Sequence, residues 1–395
     1  MRALVLLRGA PGSGKSTWLK KQGLEDYALC ADRIRLMFQS PVMDNERHVF
    51  QISQKNDRQV WDLLFQLLEK RMERGELCIV DACHSKSQDF ARYKKLIEAY
   101  RYRMFCIDFS SVPLDVCSAQ NASRQEHKIV SNEVLENIYS RFRNQSPPSY
   151  CKTISYDDQA SIDLLFKEWK PLDASQYDEI VVIGDVHGCF NPLEKWFREH
   201  PLTEKTLHIF VGDYIDRGLE NDKVVEWLLE NYQKKNVILL EGNHEKWLRE
   251  FADGAYDEEL ALGKKSKCRS SEFFERTSKQ LMKFDKKELR QLCRKFQAIA
   301  LVDFDGEEIL VTHAGVGFKP KSLMLAAADN FIRSNEYEVD VDEQFERSLT
   351  DERLIQIHGH RNAKKSKIDA FPRSLNLCDE VEFGGSLRVV TLKRG

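Results

Sequence analysis

The chain has 395 residues, 42% of them hydrophobic, and a formal net charge of −3. That is length for two ordinary domains, each with its own core, and the charge excludes the uniformly basic character of a general nucleic-acid-binding domain. No apolar run approaches the roughly 18 residues of a membrane span, and ten scattered cysteines with no C-x-x-C pair point to a reducing cytoplasm and a soluble protein.

The opening run Met1-Arg2-Ala3-Leu4-Val5-Leu6-Leu7 is too short for a signal peptide and leads into a glycine loop, so it reads as a buried strand. That loop is Gly9-Ala10-Pro11-Gly12-Ser13-Gly14-Lys15-Ser16, followed by a helical pattern over 16–22. In a G-x-x-x-x-G-K-S loop, successive backbone N–H groups face one concavity and the following helix adds its N-terminal dipole. Gly12, Ser13, Gly14, Lys15, Ser16 and Thr17 are therefore the candidate ATP-binding residues. Lys15 reaches the β/γ-phosphates and Ser16 holds Mg²⁺.

Further apolar runs at 27–31, 78–81 and 104–109 alternate with helical stretches, which predicts an α/β domain with a parallel sheet. Just after the second run, Asp32 and Arg35 stand three apart at the carboxyl edge of that sheet, where ligands bind in such folds. Asp32 can accept the proton of an attacking hydroxyl and Arg35 can hold an acceptor phosphate. The same spacing also fits an ordinary helix start with an arginine one turn on.

With Val80-Asp81-Ala82-Cys83-His84, Pro113-Leu114-Asp115-Val116-Cys117 and Asn121-Ala122-Ser123-Arg124, residues 1–170 resemble the P-loop 5′-hydroxyl polynucleotide kinases. The resemblance implies a lid whose arginines clamp ATP phosphates. Arg124 matches the second of them, and Gln120 stands where the family has the first. Asp81 is expected to be either structural or a support of the metal, and not catalytic.

A helix is expected over 134–142, closed by Ser146-Pro147-Pro148, then a strand at 153–156 and a helix at 161–169. The polar, turn-rich stretch 171–176 marks the boundary. Beyond it, strand-like runs recur at 180–183, 207–211, 237–240, 298–302, 309–311, 354–357 and 387–392, with a charged helical insertion over 245–295 that is a candidate cap. Two basic runs, Lys264-Lys265-Ser266-Lys267-Cys268-Arg269 and Arg361-Asn362-Ala363-Lys364-Lys365-Ser366-Lys367, read as solvated loops or local nucleic-acid contacts.

Five polar motifs each follow an apolar run: Gly184-Asp185-Val186-His187-Gly188, Gly212-Asp213-Tyr214-Ile215-Asp216-Arg217-Gly218, Glu241-Gly242-Asn243-His244-Glu245, Thr312-His313-Ala314-Gly315 and His358-Gly359-His360. Strand ends bearing hard oxygen and imidazole donors suit a pair of divalent ions. Residues 178–395 resemble the phosphoprotein-phosphatase branch of the calcineurin-like metallophosphoesterases, an α/β fold with a β-sandwich and flanking helices. The resemblance implies one ion, Mn²⁺ or Ni²⁺ for example, on Asp185, His187 and Asp213, and a second on Asp213, Asn243, His313 and His360. It makes His244 the leaving-group acid, oriented by Asp216, and gives Arg217 the phosphate oxygens. Relatives carry a late Asp before a Phe-Gly-Gly turn; here Phe383-Gly384-Gly385 is preceded by Cys378 at that position, with Asp379 next to it. His358 is expected to play a supporting part.

The run Asp303-Phe304-Asp305-Gly306-Glu307 has the Asp-x-Asp of haloacid-dehalogenase phosphatases, but it lacks their Thr and reads as a two-residue hairpin turn. In order, the two halves resemble the kinase and phosphatase modules of the bacterial polynucleotide kinase-phosphatases, RNA end-healing enzymes. That implies ATP-dependent phosphorylation of 5′-OH ends and removal of 3′-phosphate or 2′,3′-cyclic phosphate, with sealing left to a separate RNA ligase. The residues themselves do not separate RNA from DNA. Two other readings stay open: a P-loop ATPase that regulates a protein phosphatase, and a nucleotide-binding module fused to a dinucleoside-polyphosphate hydrolase.

Overall fold

The computed structural model describes residues 2–45, 48–166, 169–262, 268, 270–334, 338–362 and 371–395. Most of both basic runs, residues 264–267, 269 and 363–367, lies outside the described residues. The chain forms two compact units, Met1–Trp169 with Ser322–Ala327, and Lys170–Lys321 with Ala328–Gly395. No helix among the described residues is long and apolar enough to cross a membrane.

In the first unit the strands are β1 (Ala3–Arg8), β2 (Ala28–Cys30), β3 (Val42–Asp44), β4 (Val49–Gln51), β5 (Cys78–Asp81), β6 (Arg103–Asp108) and β7 (Cys151–Ser155). Five of them make a sheet in the order β2-β5-β1-β6-β7, with every pair parallel. The six residues of β1 are all buried because both faces of this central strand are covered. Val5 and Leu7 pack into one core with Trp18 and Phe109, and Leu4 and Leu6 into the other with Leu64 and Phe90. The carboxyl ends of β1, β2 and β5 thus bring the loop 9–14, Asp32 and Asp81 to one edge. Strands β3 and β4 form a separate antiparallel pair.

The second unit contains β8 (Leu172–Asp173), β9 (Glu179–Ile183), β10 (Thr206–Phe210), β11 (Val237–Leu239), β12 (Ile299–Phe304), β13 (Glu307–Thr312), β14 (Leu354–His358), β15 (Ser374–Asn376) and β16 (Val389–Lys393). They build two sheets, β11-β10-β9-β16 and β15-β14-β13-β12-β8. Alternation decides what each face meets: Ile180, Val182, Leu207 and Ile209 share a core with Val302, Ile309, Val311 and Ile357 of the other sheet. Val181, Ile183 and Phe210 turn instead to the helical side, with Leu228, Leu248 and Phe273.

Two local readings meet the structure directly. The turn-rich boundary stretch 171–176 carries β8, which pairs parallel with Val302 and Asp303. Strands β12 and β13 are joined by Asp305 and Gly306 alone, at φ 53° and 81°. Positive φ at both central residues is the hairpin geometry that Asp-Gly supplies, so Asp305 is a turn residue.

Candidate active sites

At the end of β1 the chain turns through Gly9, Gly12 and Gly14, and the helix Lys15–Gln22 begins. Gly12 sits at φ 78°, and a Cβ there would lie 2.2 Å from the Cys117 carbonyl oxygen, so only glycine lets the loop pass this close to the helix Leu114–Ala122. Lys15 Nζ donates to the carbonyls of Gly9 (2.8 Å) and Ala10 (2.9 Å), which curls the ammonium over the loop. Ser16 Oγ donates to Asp81 Oδ2 at 3.0 Å, so the hydroxyl and the carboxylate stand together where a Mg²⁺ ion would be held.

Asp32 lies in the first turn of the helix Ala31–Phe38 and accepts from Arg35 Nη1 at 2.7 Å; Arg35 Nη2 also pairs with Asp57. Asp57 opens the helix Asp57–Glu73, and no sequence signal tied it to Arg35. Arg124 follows the helix Leu114–Ala122, and Asn121 holds the segment beyond it through both N–H and C=O of Val130. Gln120 lies over the loop, its Oε1 3.9 Å from where a Cβ on Gly14 would stand. The loop, Asp32, Arg35, Asp81, Gln120 and Arg124 line one cavity of about 1330 Å³. His84 also lines it, but the side chain is buried and both ring nitrogens are engaged, Nδ1 donating to the Leu7 carbonyl and Nε2 bonding the Tyr93 hydroxyl.

In the second unit Asp185, His187, Asp213, Asn243, His313 and His360 all stand just beyond the carboxyl ends of strands β9, β10, β11, β13 and β14. His187, Asp213, Asp216, Arg217 and His360 all have positive φ, from 44° to 74°. Non-glycine residues adopt this conformation at a cost that surrounding contacts must meet, and such strain gathers at functional sites.

Glu245 meets part of it. One Glu245 oxygen accepts from the N–H groups of Asp213 (2.9 Å) and Gly242 (2.7 Å), and the other from Tyr214 (2.9 Å), all buried. A Cβ on Gly242 would lie 2.2 Å from Asp213 Oδ1, so glycine is needed for the close approach. The sequence shows Glu245 beside His244 but not this role.

Ligand-atom spacing places Asp213 at the centre. Asp213, His313 and His360 form one group of donor atoms within 4.8 Å of one another, and Asp213, His187 and His244 form another. Asp213 Oδ2 is 3.5 Å from His187 Nε2 and 3.3 Å from His313 Nε2, while Asn243 Oδ1 is 3.2 Å from the same His313 nitrogen. Asp185 joins the same cluster: its Oδ1 is 3.6 Å from His313 Nδ1, its Oδ2 accepts the His360 N–H at 2.8 Å, and its charge also acts on His187. Nδ1 of His187 and of His313 faces a backbone carbonyl, Ile215 and Val211 respectively, and must be the protonated nitrogen; Nε2 is left toward the cluster.

These residues fit divalent ions on the electrostatics of the site itself. Asp185 Oδ1 is buried with no hydrogen-bond partner among the described residues. Burial opposes charge on His313, yet Asp213 and Asp185 raise its pKa to about 9, so the carboxylates draw in a proton where a cation belongs. His360 is pushed down to about 3 by burial and by His313, and His187 is lowered by burial, which leaves both as neutral ligands.

His244 bonds Asp216 Oδ2 through Nδ1 at 2.7 Å, and its backbone N–H donates to Asp213 Oδ1 at 3.1 Å. Burial works against its charge, but Asp213 and Asp216 prevail and raise it to about 9. Asp216 is itself held: its Oδ1 accepts from Thr277 Oγ1 (2.6 Å) and its N–H donates to Asn221 Oδ1 (2.7 Å). Thr277 and Glu272, which accepts the Arg217 N–H, belong to the charged insertion, so that segment braces the Asp216-Arg217 turn. Arg217 Nη1 donates to Glu382 Oε1 at 2.6 Å, and the Glu382 side chain is 1% exposed. Cys378 is buried, its thiol pushed up by burial and by Asp185; Glu382, four residues on, supplies the carboxylate that reaches Arg217.

Residues 4–145 match the family model of an AAA domain, and residues 179–382, more than half of the chain, match that of the calcineurin-like phosphoesterases. The chain belongs to the calcineurin-like phosphoesterase family. Calcineurin-like phosphoesterases use divalent metals, in agreement with the donor set around Asp213. Among solved structures, this calcineurin-like phosphoesterase is similar to a chain provisionally assigned as a diadenosine tetraphosphatase (15% identity, 58% of this chain and 99% of that one, TM-score 0.38). It is also similar to a protein serine/threonine phosphatase from Saccharomyces cerevisiae (18%, 58% and 77%, 0.32). A third is a cold-active protein-tyrosine phosphatase from the psychrophile Shewanella sp. (17%, 57% and 78%, 0.36).

Proposed function

We propose that the chain is a bifunctional end-healing enzyme that phosphorylates 5′-OH ends of RNA with ATP and removes 3′-phosphate or 2′,3′-cyclic phosphate. The observation that carries this reading is the content of the first cavity. A phosphate-binding loop, a carboxylate with a paired arginine, and Arg124 line one space of about 1330 Å³, above the roughly 300–1,000 Å³ of a pocket for a single small ligand. The volume suits a donor and an acceptor together, and a regulatory ATPase has no use for the second.

On this reading Lys15 and the loop N–H groups hold the β- and γ-phosphates, and Arg124 neutralises charge on the transferred group. Asp32, kept near Arg35, takes the proton of the 5′-hydroxyl as that oxygen bonds the γ-phosphorus and ADP leaves. Arg35, fixed from behind by Asp57, holds an acceptor phosphate.

In the second site Asp185, His187 and Asp213 would hold one ion, and Asp213, Asn243, His313 and His360 the other. When bound, the two ions supply an activated water and polarise the phosphate. His244 gives its proton to the leaving ribose oxygen and Asp216 holds the ring in place for that transfer. Arg217 takes phosphate oxygens. ATP and Mg²⁺ serve the first site.

The test is transfer of labelled γ-phosphate from ATP to a 5′-OH oligoribonucleotide and its deoxy counterpart. Transfer to the RNA supports the reading; ATP hydrolysis at the same rate with and without acceptor, and no labelled oligonucleotide, refutes it.

A further inference from the structure

One stretch of the charged insertion departs from regular helix. Residues Phe273–Thr277 form a π turn, closed where the Ser278 N–H donates to the Phe273 carbonyl five residues back. Such turns are rare and gather at functional sites. In an α-helix residues three and four apart share a face and the fifth falls away from it. The extra residue in this turn brings Arg276 and Thr277 together to the side that Glu272 faces.

All three meet the Asp216-Arg217 turn. The Arg217 N–H donates to Glu272 Oε1 at 2.8 Å, and the Arg217 carbonyl accepts from Arg276 Nη2 at 3.0 Å. Thr277 Oγ1 reaches the neighbouring residue and donates to Asp216 Oδ1 at 2.6 Å. Further along the insertion, Gln280 Oε1 accepts the Asn221 N–H at 2.9 Å, and Asn221 Oδ1 accepts the Asp216 N–H at 2.7 Å. Asp216 is thus held on its backbone through Gln280 and Asn221 and on its carboxylate by Thr277.

The carboxylate contact bears on the chemistry. The last torsion of an aspartate is broad and two-fold, and here it is fixed because each oxygen has its own donor: Thr277 Oγ1 on Oδ1, and His244 Nδ1 on Oδ2 at 2.7 Å. Both Asp216 and Thr277 are fully buried, where a carboxylate oxygen robbed of its donor is costly and turns toward another. The His244 ring takes its direction from Asp216 Oδ2, so the hydroxyl of Thr277 sets, through one carboxylate, where Nε2 points.

We propose that Thr277 is the positioning residue for the leaving-group acid, and that through it the insertion gives this site its turnover on phosphate esters of alkyl alcohols. The proposal rests on the reading of His244 as the acid. In the step concerned a water oxygen bonds phosphorus, the bond from phosphorus to the leaving oxygen breaks with its electron pair on that oxygen, and the oxygen takes the Nε2 proton. An alkoxide needs that proton at the moment of departure; a nitrophenolate leaves without it.

The experiment compares wild type, Thr277→Val and Thr277→Ser on a nucleoside 3′-monophosphate and on nitrophenyl phosphate, with metal content per chain. Thr277→Val should lower kcat on the nucleotide by about tenfold to a hundredfold, the scale of a misplacement of up to about 1 Å. Its KM, its metal content and, within about threefold, its turnover on nitrophenyl phosphate should stay as in wild type. Thr277→Ser, which keeps the hydroxyl, should restore the nucleotide rate. Unchanged nucleotide turnover in Thr277→Val, equal loss on both substrates, or failure of Ser to rescue would overturn the proposal. The acid reading fails separately, if His244→Ala itself shows no difference between the two substrates. Proton NMR then decides the positioning alone: the downfield ring N–H shared by His244 and Asp216, identified by its loss in His244→Ala, should move or vanish in Thr277→Val and return in Thr277→Ser. The same resonance in Thr277→Val as in wild type would overturn it.

Discussion

Replacing His244 with Ala separates the two parts this histidine can play at the second site. It lies in one donor group with His187 and Asp213, and it also bonds Asp216 at 2.7 Å in the manner of an oriented acid. Its side chain is 13% exposed, and with Nδ1 committed to Asp216 only Nε2 is left to face a substrate. The backbone N–H that seats Asp213 survives the substitution, so the bridging carboxylate should stay in place. A general acid contributes about 10²–10⁴-fold, or about 3–5 kcal/mol of barrier. That loss should appear on an RNA 3′-phosphate, whose ribose oxygen needs a proton to leave. On nitrophenyl phosphate, whose phenolate leaves unprotonated, turnover should fall less than about tenfold. The assay is turnover on both substrates with Mn²⁺ or Ni²⁺ supplied, together with metal content per chain. Equal loss on both substrates with a fall in bound metal would refute the acid role and make His244 a ligand.

Other outcomes follow from particular contacts. Asp32→Asn should lower kinase turnover by about 10²–10⁴-fold with little change in the KM for ATP, because the proposed base faces the acceptor; near-normal turnover in an initial-rate assay would leave Asp32 a helix-start residue. Glu245→Ala strips three buried N–H groups of their acceptor at about 1–3 kcal/mol each, less than additively, so urea unfolding of the second unit should show a loss of several kcal/mol. His208, buried in β10, is pushed down to about 4 by burial. Its contribution to stability is therefore full above the ordinary value near 6.5 and is lost as pH falls through about 4, by up to about 1.4 kcal/mol per pH unit. His208→Gln should flatten the fall in unfolding free energy between pH 7.5 and 5 relative to wild type.

Legibility in the sequence follows the range of the interactions. The loop before Lys15 and the five strand-end motifs are local: each couples an apolar run to glycines and to ligand-type side chains within a few residues, and Asp305-Gly306 is a turn that two residues define. Strand β8 escaped notice because two residues carry no periodicity and form a strand only by pairing with Val302 and Asp303. The supports of the sites were equally silent. Asp57 reaches Arg35 across 22 positions, Thr277 reaches Asp216 across 61, and Glu382 reaches Arg217 across 165. Nothing near any of these three in the sequence distinguishes it from an ordinary polar residue. Glu245 was visible beside His244, but its three backbone bonds depend on the turn at Asp213 folding back onto it.

The most direct test of the account is the intact mass of an RNA oligonucleotide bearing 5′-OH and 3′-phosphate ends, after incubation with ATP, Mg²⁺ and Mn²⁺. With wild type the mass should be unchanged, because one phosphate is added and one removed, while fragmentation places the phosphate at the 5′ end. With Lys15→Ala the product should be one phosphate lighter, and with Asp213→Ala one phosphate heavier. If wild type and Lys15→Ala gave the same product, or if either substitution abolished both changes in a folded protein, the claim of two independent activities in one chain would be contradicted.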